Sequence, residues 1–440
     1  MGARGFLEPY FLGMVMKKGN YILIFILAIF GYISAQNIKG INSKKQEAQG
    51  AIAVVKPAAK AVAAPVVKAV SAVAVSGVPV PAKVDVTSKK FTFCSSYPTL
   101  GDLDVIGRQL AEGLTMSIAS LQKKARKSTI TMSYLGNNEK TGSTGLATMK
   151  QYLAKTKVIL GGVGTTFWQQ VFGESWASQA IHLFPISENN HIHNKGYKNT
   201  IFYRPTAEQE LKVLCEYVIK KQVKDKIAIF YESGFAGNSL FELLVKILTE
   251  YGVEPVISAR YTAGTVEIDR ALTNILQAAP NAIFCLSKPR PTYKFIKYAV
   301  DKGQTSILFV GMSPLLSIQN LLKNARGIDL VTTSIVPPET SALQIAERFR
   351  AFAGAEFRAN RKTSFYLESF LYTELLYWAV EKKPEVVAHP ELLVEYFEHI
   401  KNVNFYGMPL SFDPATRTLA RKLWIVPKAD AGASWLEINL

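Results

Sequence analysis

Short apolar runs alternate with longer amphipathic segments along most of the chain, and this alternation constrains the fold more than any other feature. The apolar runs are Phe91–Cys94, Thr129–Tyr134, Lys157–Leu160, Lys226–Tyr231, Asn281–Cys285 and Ser306–Val310. Between them, segments such as 208–221 and 239–251 repeat apolar residues every three or four positions, as helices packed by one face do. Buried strands joined by helices predict α/β architecture with doubly wound parallel sheets, whose ligands bind beyond the carboxyl ends of the strands.

Length and charge limit the classes of protein to consider. The 440 residues are too many for one ordinary core but suit two α/β lobes and an unstructured stretch. The net charge of +17 is uneven, because residues 1–90 hold 12 Lys/Arg against 3 Asp/Glu and the rest hold 39 against 31. No basic run alternates with aromatic residues as a nucleic-acid groove requires. Nucleic acid is therefore not an expected partner.

The N-terminus has the features of a signal peptide. Lys17 and Lys18 precede the apolar run 21–33, and small residues lead to Ala35 and the polar Gln36. We expect a signal peptide over 1–35, with the true start at Met16 as an alternative, and a periplasmic or otherwise extracytoplasmic protein. The run is shorter than the ~20 residues that span a bilayer, so an uncleaved membrane anchor is the weaker alternative. No cysteine follows that could carry a lipid.

Residues 36–90 differ in composition from the rest of the chain. From Lys44 to Lys90 alanine, valine, proline and lysine dominate, and the first aromatic residue after them is Phe91. Repeated proline interrupts helices, and too few large side chains are present to form a core. The composition predicts a disordered, semi-extended linker.

Limited proteolysis tests this division of the chain. We expect the first cuts within 44–90 and a resistant fragment that begins near Phe91, because exposed unstructured chain is cleaved preferentially. Mass spectrometry of the fragments locates the cuts. Early cuts within 206–333 would contradict the domain boundaries given below.

A glycine-rich turn follows the apolar run that ends at Leu160. Its sequence is Gly161-Gly-Val-Gly164, followed by Thr165, Thr166 and Trp168. Glycines let a ligand approach the backbone, and the N-terminus of a following helix favours an anion. A nucleotide loop is the weaker interpretation, since no Gly-Lys-Ser/Thr follows. A carboxylate site is plausible, and a turn that is tight only for packing remains the alternative.

Cysteine, histidine and catalytic motifs give little support to metal or enzyme chemistry. Cys94, Cys215 and Cys285 lie singly in apolar runs, as buried thiols do. His182, His191 and His193 have no acidic or cysteine partner at a recognisable spacing, so we expect surface or loop histidines and no metal. No nucleophile elbow or zinc-protease motif is present. We expect no cofactor and no catalysis.

The order of several motifs resembles a known family. These motifs are Pro98–Asp102 with Gly107, Val158–Gly162, Gly196-Tyr197 with Phe202–Pro205, Ile227–Tyr231 with Gly237, and Phe405–Asp413. Over Phe91–Leu440 the chain is similar to the type 1 periplasmic binding proteins of the leucine/isoleucine/valine- and amide-binding group, the substrate-binding proteins of ABC transporters. The resemblance implies two doubly wound parallel-sheet lobes joined by a hinge that the chain crosses three times.

The resemblance also implies a ligand site. Thr165 and Thr166 match the pair that holds the ligand carboxylate in amino-acid-binding relatives. The other matching positions include a serine, Ser313, where relatives carry the acid that takes the ligand's ammonium. This difference favours acidic or amide-like ligands over leucine-like ones, with Lys288 expected as a second positive group. The expected ligand-binding residues are Tyr97, Gly164, Thr165, Thr166, Trp168, Ser187, Glu188, Phe235, Lys288 and Ser313.

These inferences predict one lobe over 91–205 and 334–404 and another over 206–333 and 405–440. The expected function is extracytoplasmic solute binding, in which the lobes close on a small carboxylate- or amide-bearing molecule. The expected partners are that molecule and a membrane permease or envelope protein, with the chain a monomer. The alternative is a tethered cell-envelope interaction module that uses the same fold without transport.

Overall fold

The computed structural model describes most of the chain from Lys90 to Leu440. The described residues are 90–98, 100–124, 131–137, 142–187, 189, 192–193, 197–221, 225–319, 321–322, 328–360, 364–427 and 434–440. The predicted signal peptide and linker lie outside them, apart from Lys90. The helices are α1 (Asp104–Lys124), α2 (Gly142–Leu153), α3 (Thr165–Gly173), α4 (Ala207–Lys220), α5 (Phe235–Glu250), α6 (Asp269–Gln277), α7 (Pro289–Asp301), α8 (Leu316–Gln319), α9 (Gln344–Asn360), α10 (Ser364–Lys382) and α11 (Leu392–Glu398).

Fifteen strands lie among these helices within the described residues. They are β1 (Lys90–Ser95), β2 (Thr131–Asn137), β3 (Val158–Leu160), β4 (Ile181–Leu183), β5 (Thr200–Ile201), β6 (Ile227–Glu232), β7 (Ile257–Tyr261), β8 (Ala282–Leu286), β9 (Leu308–Gly311), β10 (Asp329–Ser334), β11 (Val403–Phe405), β12 (Met408–Asp413), β13 (Thr418–Ala420), β14 (Lys422–Val426) and β15 (Leu436–Asn439).

The first sheet is parallel and has the order β2-β1-β3-β4-β5. Successive side chains of β1 face opposite sides, so Phe91 and Phe93 pack with α1 and α10 while Cys94 packs with Met149 and Trp168. Both faces are therefore covered. We call this sheet, with α1–α3 and α9–α11, the first lobe.

The second sheet has the order β15-β14-β10-β9-β8-β6-β7. Strands β6 to β10 are parallel, and β14 and β15 add an antiparallel edge. Helices α4 and α5 cover one face, and α6 and α7 cover the other. We call this sheet with α4–α8 the second lobe. Parallel α/β architecture was the sequence prediction, and it is confirmed.

The chain passes between the two sheets three times, after β5, after β10 and between Ala420 and Lys422. The expected return to the second lobe was at residue 405. Instead, β11–β13 form a separate antiparallel sheet whose Phe405, Leu410 and Leu419 pack in the core of the first lobe. These apolar side chains are buried there, and of the described residues after 405 the strands β14 and β15 join the second sheet.

Helix α10 is buried on nearly all sides, including at Glu368 and Glu374. Glu368 pairs with Arg204 at 2.7 Å, and Glu374 pairs with Arg348 at 2.6 Å. Gly113 allows α1 to pack closely against α10, because a Cβ at Gly113 would lie 2.2 Å from the Ser369 hydroxyl oxygen. None of the helices in the described part of the chain is both long enough and apolar enough to cross a bilayer.

The three cysteines are buried, as their apolar surroundings in the sequence predicted, and two of the histidines are more buried than expected. All three cysteines are free and buried, and burial raises the pKa of Cys94 and Cys215 to about 12. His182 and His193 are also buried, which lowers the pKa of each to about 4. These two were expected at the surface or in loops, but their rings pack against Trp168 and Phe202. His191 lies outside the described residues, among which no three metal-ligating side chains cluster.

Candidate ligand-binding site

A cavity of about 320 Å³ lies between the two lobes at the carboxyl ends of their strands. The first-lobe side contributes residues from the loops after β1, β3 and β4, from α1, α3 and α10, and from the segment after β5, namely Pro98, Leu100–Leu103, Ile106, Val163–Phe167, Gln170, Ile186, Arg204 and Phe365. The second lobe contributes Glu232, Ala236, Gly237, Leu240, Leu286–Lys288 and Pro314. A molecule in this cavity would therefore touch both lobes.

The loop between β3 and α3 forms the polar wall on the first-lobe side. Gly164 has a φ of 120°, which favours glycine, and it offers no side chain to cap the helix that begins at Thr165. The first turn of a helix carries backbone N–H groups without intrahelical partners and the positive end of the helix dipole. Thr165 is 8% exposed, and its Oγ1 lies 3.2 Å from the Ser187 Oγ. This wall suits a carboxylate or another small anion.

Two large aromatic side chains support this loop from behind. The Trp168 Nε1–H donates to the Gly162 carbonyl oxygen at 3.0 Å. A Cβ at Gly162 would lie 2.7 Å from Trp168 Cζ2, and one at Gly161 would lie 1.8 Å from the Tyr97 hydroxyl oxygen. Both aromatic side chains are fully buried. The glycines are therefore required for close packing as well as for access to the cavity.

A salt bridge at the cavity changes the expected role of Lys288. Its Nζ lies 2.9 Å from Glu232 Oε1 in its own lobe and 3.7 Å from Asp102 Oδ2 in the first lobe. The Gly264 N–H also donates to Glu232 Oε1, at 3.3 Å. Two carboxylates balance one ammonium, so Lys288 does not present an uncompensated positive charge to a ligand.

Arg204 lines the cavity and is 4% exposed. Its Nε and Nη2 each donate to a Glu368 oxygen at 2.7 Å, and its Nη1 donates to Ser313 Oγ at 2.8 Å. Burial by itself would lower the pKa of Arg204, but the Glu368 carboxylate raises it above its ordinary value. The guanidinium is therefore a permanent charge held by a bidentate pair.

The Arg204 network continues into both lobes. On the first-lobe side the Tyr372 hydroxyl donates to Glu368 Oε1 at 2.5 Å, and burial followed by the Glu368 charge raises the pKa of Tyr372. On the second-lobe side Ser313 Oγ donates to Glu210 Oε1 at 3.2 Å. Thr333, on β10, donates to the other Glu210 oxygen at 2.5 Å. Residues from both lobes and from the connecting segments thus share one buried network.

The structure brings some of the expected ligand-binding residues to the cavity and not others. Gly164, Thr165, Thr166 and Lys288 line it, and Ser187 lies one hydrogen bond behind Thr165. The remaining described ones do not line it; these are Tyr97 and Trp168 behind the loop, Ser313 in the Arg204 network, and Phe235, which is 49% exposed beside Ala236. Glu188 lies outside the described residues.

Several cavity residues were not selected from the sequence. Asp102, Arg204 and Glu232 are the charged ones, and Phe167, Gln170 and Phe365 are among the others. Glu232 directly follows the predicted strand Lys226–Tyr231, so the rule that ligands bind beyond strand ends could have identified it. Phe365 is distant in sequence from every other lining residue, and no local pattern marks it.

Comparisons with known proteins agree with this architecture. A family model described as periplasmic binding protein matches residues 96–433. The Leu/Ile/Val-binding protein homolog 7 of Brucella suis is 21% identical over 307 residues, which cover 64% of this chain and 75% of the relative. A possible leucine/isoleucine/valine-binding protein from Rhodopirellula baltica superposes with a TM-score of 0.69 at 18% identity, over 81% of this chain and 98% of the other.

A second solved structure contains a bound aromatic acid. It is a solute binding protein of an ABC transporter from R. palustris in complex with 4-hydroxybenzoate. Its TM-score is 0.64 at 15% identity, and it covers 80% of this chain and 96% of its own. Likeness at this identity establishes the shared fold, and ligands within that fold differ.

The family match spans most of the folded chain and confirms the resemblance inferred from sequence motifs. The expectation of solute binding without catalysis is confirmed too, because the family is non-enzymatic. The chain belongs to the periplasmic binding protein family.

Proposed function

We propose that this protein is an extracytoplasmic solute-binding protein whose lobes close on a small carboxylate with an apolar body and deliver it to an ABC transporter or sensor. The observation that carries the proposal is the cavity between the lobes, with the uncapped start of α3 on its wall. A ligand that contacts both lobes stabilises the closed form by its additional contacts there.

The lining supports an apolar body for the ligand. Leu103, Ile106, Val163, Ile186, Leu240, Leu286 and Phe365 surround the cavity. Burying a ring or alkyl group against them is favourable by about 25 cal/mol per Å² removed from water. The R. palustris protein in complex with 4-hydroxybenzoate has the same fold, which supports including aromatic acids among the candidates.

The charged residues support one carboxylate and not two. Lys288 is balanced by Glu232 and Asp102, and Arg204 is balanced by Glu368. A second ligand anion would have to displace one of these carboxylates. We therefore favour monocarboxylates, which narrows the acidic or amide-like class expected from the sequence.

Ligand-dependent thermal stability tests the proposed function. The purified chain is heated with benzoate, 4-hydroxybenzoate, hexanoate, leucine, leucinamide or succinate, each at several concentrations. A ligand that binds only the folded state at 100 times its Kd stabilises it by about 2.7 kcal/mol, so the melting temperature rises. We expect this rise with apolar monocarboxylates and none with succinate. If no compound raises the melting temperature, the tethered envelope-interaction module is favoured instead.

Thr165→Ala tests where the carboxylate binds. We expect the affinity for the best monocarboxylate to fall about tenfold to a hundredfold, because a hydrogen bond to an anion is lost. Calorimetry measures the change. Thr115→Ala is the matched control, since Thr115 is an exposed helical threonine remote from the cavity lining, and it should leave the affinity unchanged. Unchanged binding by Thr165→Ala would place the carboxylate elsewhere.

A further inference from the structure

Two acidic residues and two basic residues meet across the cleft beside the cavity. Asp102 and Asp104 lie at the start of α1 in the first lobe, and Lys288 and Arg290 lie at the start of α7 in the second. Lys288 Nζ is 3.7 Å from Asp102 Oδ2, and Arg290 Nη2 is 2.7 Å from Asp104 Oδ2. Within each lobe the two charged residues are two positions apart in sequence. The contacts therefore form an inner ion pair, Lys288 with Asp102, and an outer ion pair, Arg290 with Asp104.

We propose that these four residues form an ion-pair latch. The latch sets how often the unliganded protein closes and thereby sets its affinity for the ligand, and the outer pair acts without contacting the ligand. This inference rests on the proposed lobe-closing function. The outer pair, Arg290 with Asp104, is the one that acts as a pure positioning element, because neither residue lines the cavity.

Both sides of the latch are held firmly by the backbone. Lys288 precedes Pro289, and Pro291 follows Arg290. Arg290 therefore lies between two prolines, each of which has a fixed φ. In the first lobe, a Cβ at Gly107 would lie 1.7 Å from the Pro98 carbonyl oxygen, which shows how closely α1 abuts the preceding loop. Little rearrangement is then available within each lobe, and the pairs form or break mainly as the lobes move.

The two pairs respond differently to opening. Lys288 keeps Glu232, a residue of its own lobe at 2.9 Å, when its contact with Asp102 breaks. Arg290 has Asp104 as its one acidic partner among the described residues, and opening removes it. The outer pair is therefore the more sensitive to lobe closure, although the Arg290 side chain is 52% exposed and solvent weakens the attraction.

Arg290→Glu in the full chain tests the latch. It removes the attraction and places a like charge opposite Asp104. The introduced carboxylate is compatible with the first turn of α7, where the helix dipole favours negative charge. We expect the ratio of closed to open molecules to fall about threefold to tenfold in the absence of ligand, as for a partly exposed pair converted to a repulsive one.

Spin labels on Lys150→Cys and Lys302→Cys, one exposed position in each lobe, report the distance between lobes by pulsed electron resonance. The three native cysteines are buried, so the introduced ones are labelled selectively. Raising the salt to 1 M should reduce the difference between wild type and variant, because the Debye length falls to about 3 Å.

Two further variants separate the latch from a general charge effect. Lys297→Glu makes the same charge change on α7 at an exposed lysine that forms none of the ion pairs seen among the described residues, and it should leave the distances unchanged. Asp104→Arg combined with Arg290→Glu restores an opposite-charge pair and should restore the closed fraction.

The proposal is overturned if Arg290→Glu leaves the distances of the unliganded chain unchanged, if Lys297→Glu shifts them equally, or if the charge swap does not restore them. None of these measurements requires a ligand. Failure of the latch is thereby distinguished from failure of the proposed function, which appears instead as the absence of any ligand-dependent rise in melting temperature.

Discussion

Arg204→Met is expected to lower the free energy of unfolding by about 3–5 kcal/mol, since it leaves a buried carboxylate without its cation. Glu368 accepts two charge-assisted hydrogen bonds from Arg204 and is itself almost completely buried. Ser313 also loses the donor of its 2.8 Å hydrogen bond. Chemical denaturation followed by circular dichroism measures the change.

The double variant Arg204→Met with Glu368→Leu makes the prediction specific. The two introduced apolar side chains have similar volumes to the originals and leave no unpaired charge. The free energy of unfolding should therefore fall less in the double variant than the sum of its decreases in the two single variants. Lys212→Met is the control, because its pair with Glu208 is exposed and should contribute less than about 1 kcal/mol. Additive losses in the double variant would show that the charge pair is not what holds the segment after β5 against α10.

Trp168→Ala is expected to lower the free energy of unfolding by a comparable amount, about 3–5 kcal/mol, because it empties a large buried site. It should also weaken ligand binding, since Trp168 supports the loop that presents Thr165. Trp168→Phe keeps most of the ring volume but loses the hydrogen bond to the Gly162 carbonyl oxygen, which contributes about 1 kcal/mol. Denaturation and calorimetry on the same variants measure both effects.

The two Trp168 variants distinguish a supporting role from direct ligand contact. If the indole touched the ligand, as the sequence motif indicated, Trp168→Phe would change affinity strongly at nearly constant stability. Trp176→Phe is the control, because Trp176 packs at the edge of the same cluster and is only partly buried. It should change neither property by much.

The architecture could be predicted from the amino-acid sequence, because it follows from local periodicity. Buried strands such as Ile227–Glu232 have apolar side chains on both faces, and this pattern needs no knowledge of distant residues. The edge strand Ile257–Tyr261 was missed because the strands were sought as runs of consecutive apolar residues, whereas this strand is half-buried and alternates exposed and buried positions. The glycine loop before Thr165 was also evident, since only glycine tolerates its φ values.

The contacts between polar side chains could not be predicted in this way, because they join residues that are distant in sequence. Arg204 and Glu368 are 164 residues apart in sequence, and neither has a local signal that names the other. Ser313 and Trp168 were expected at the ligand and instead donate hydrogen bonds behind the cavity, to Glu210 and to Gly162. Lys288 was expected to be a positive group for the ligand and instead pairs with Glu232 and Asp102. Side-chain direction and charge pairing depend on which elements pack together, and that packing is not encoded at any single position.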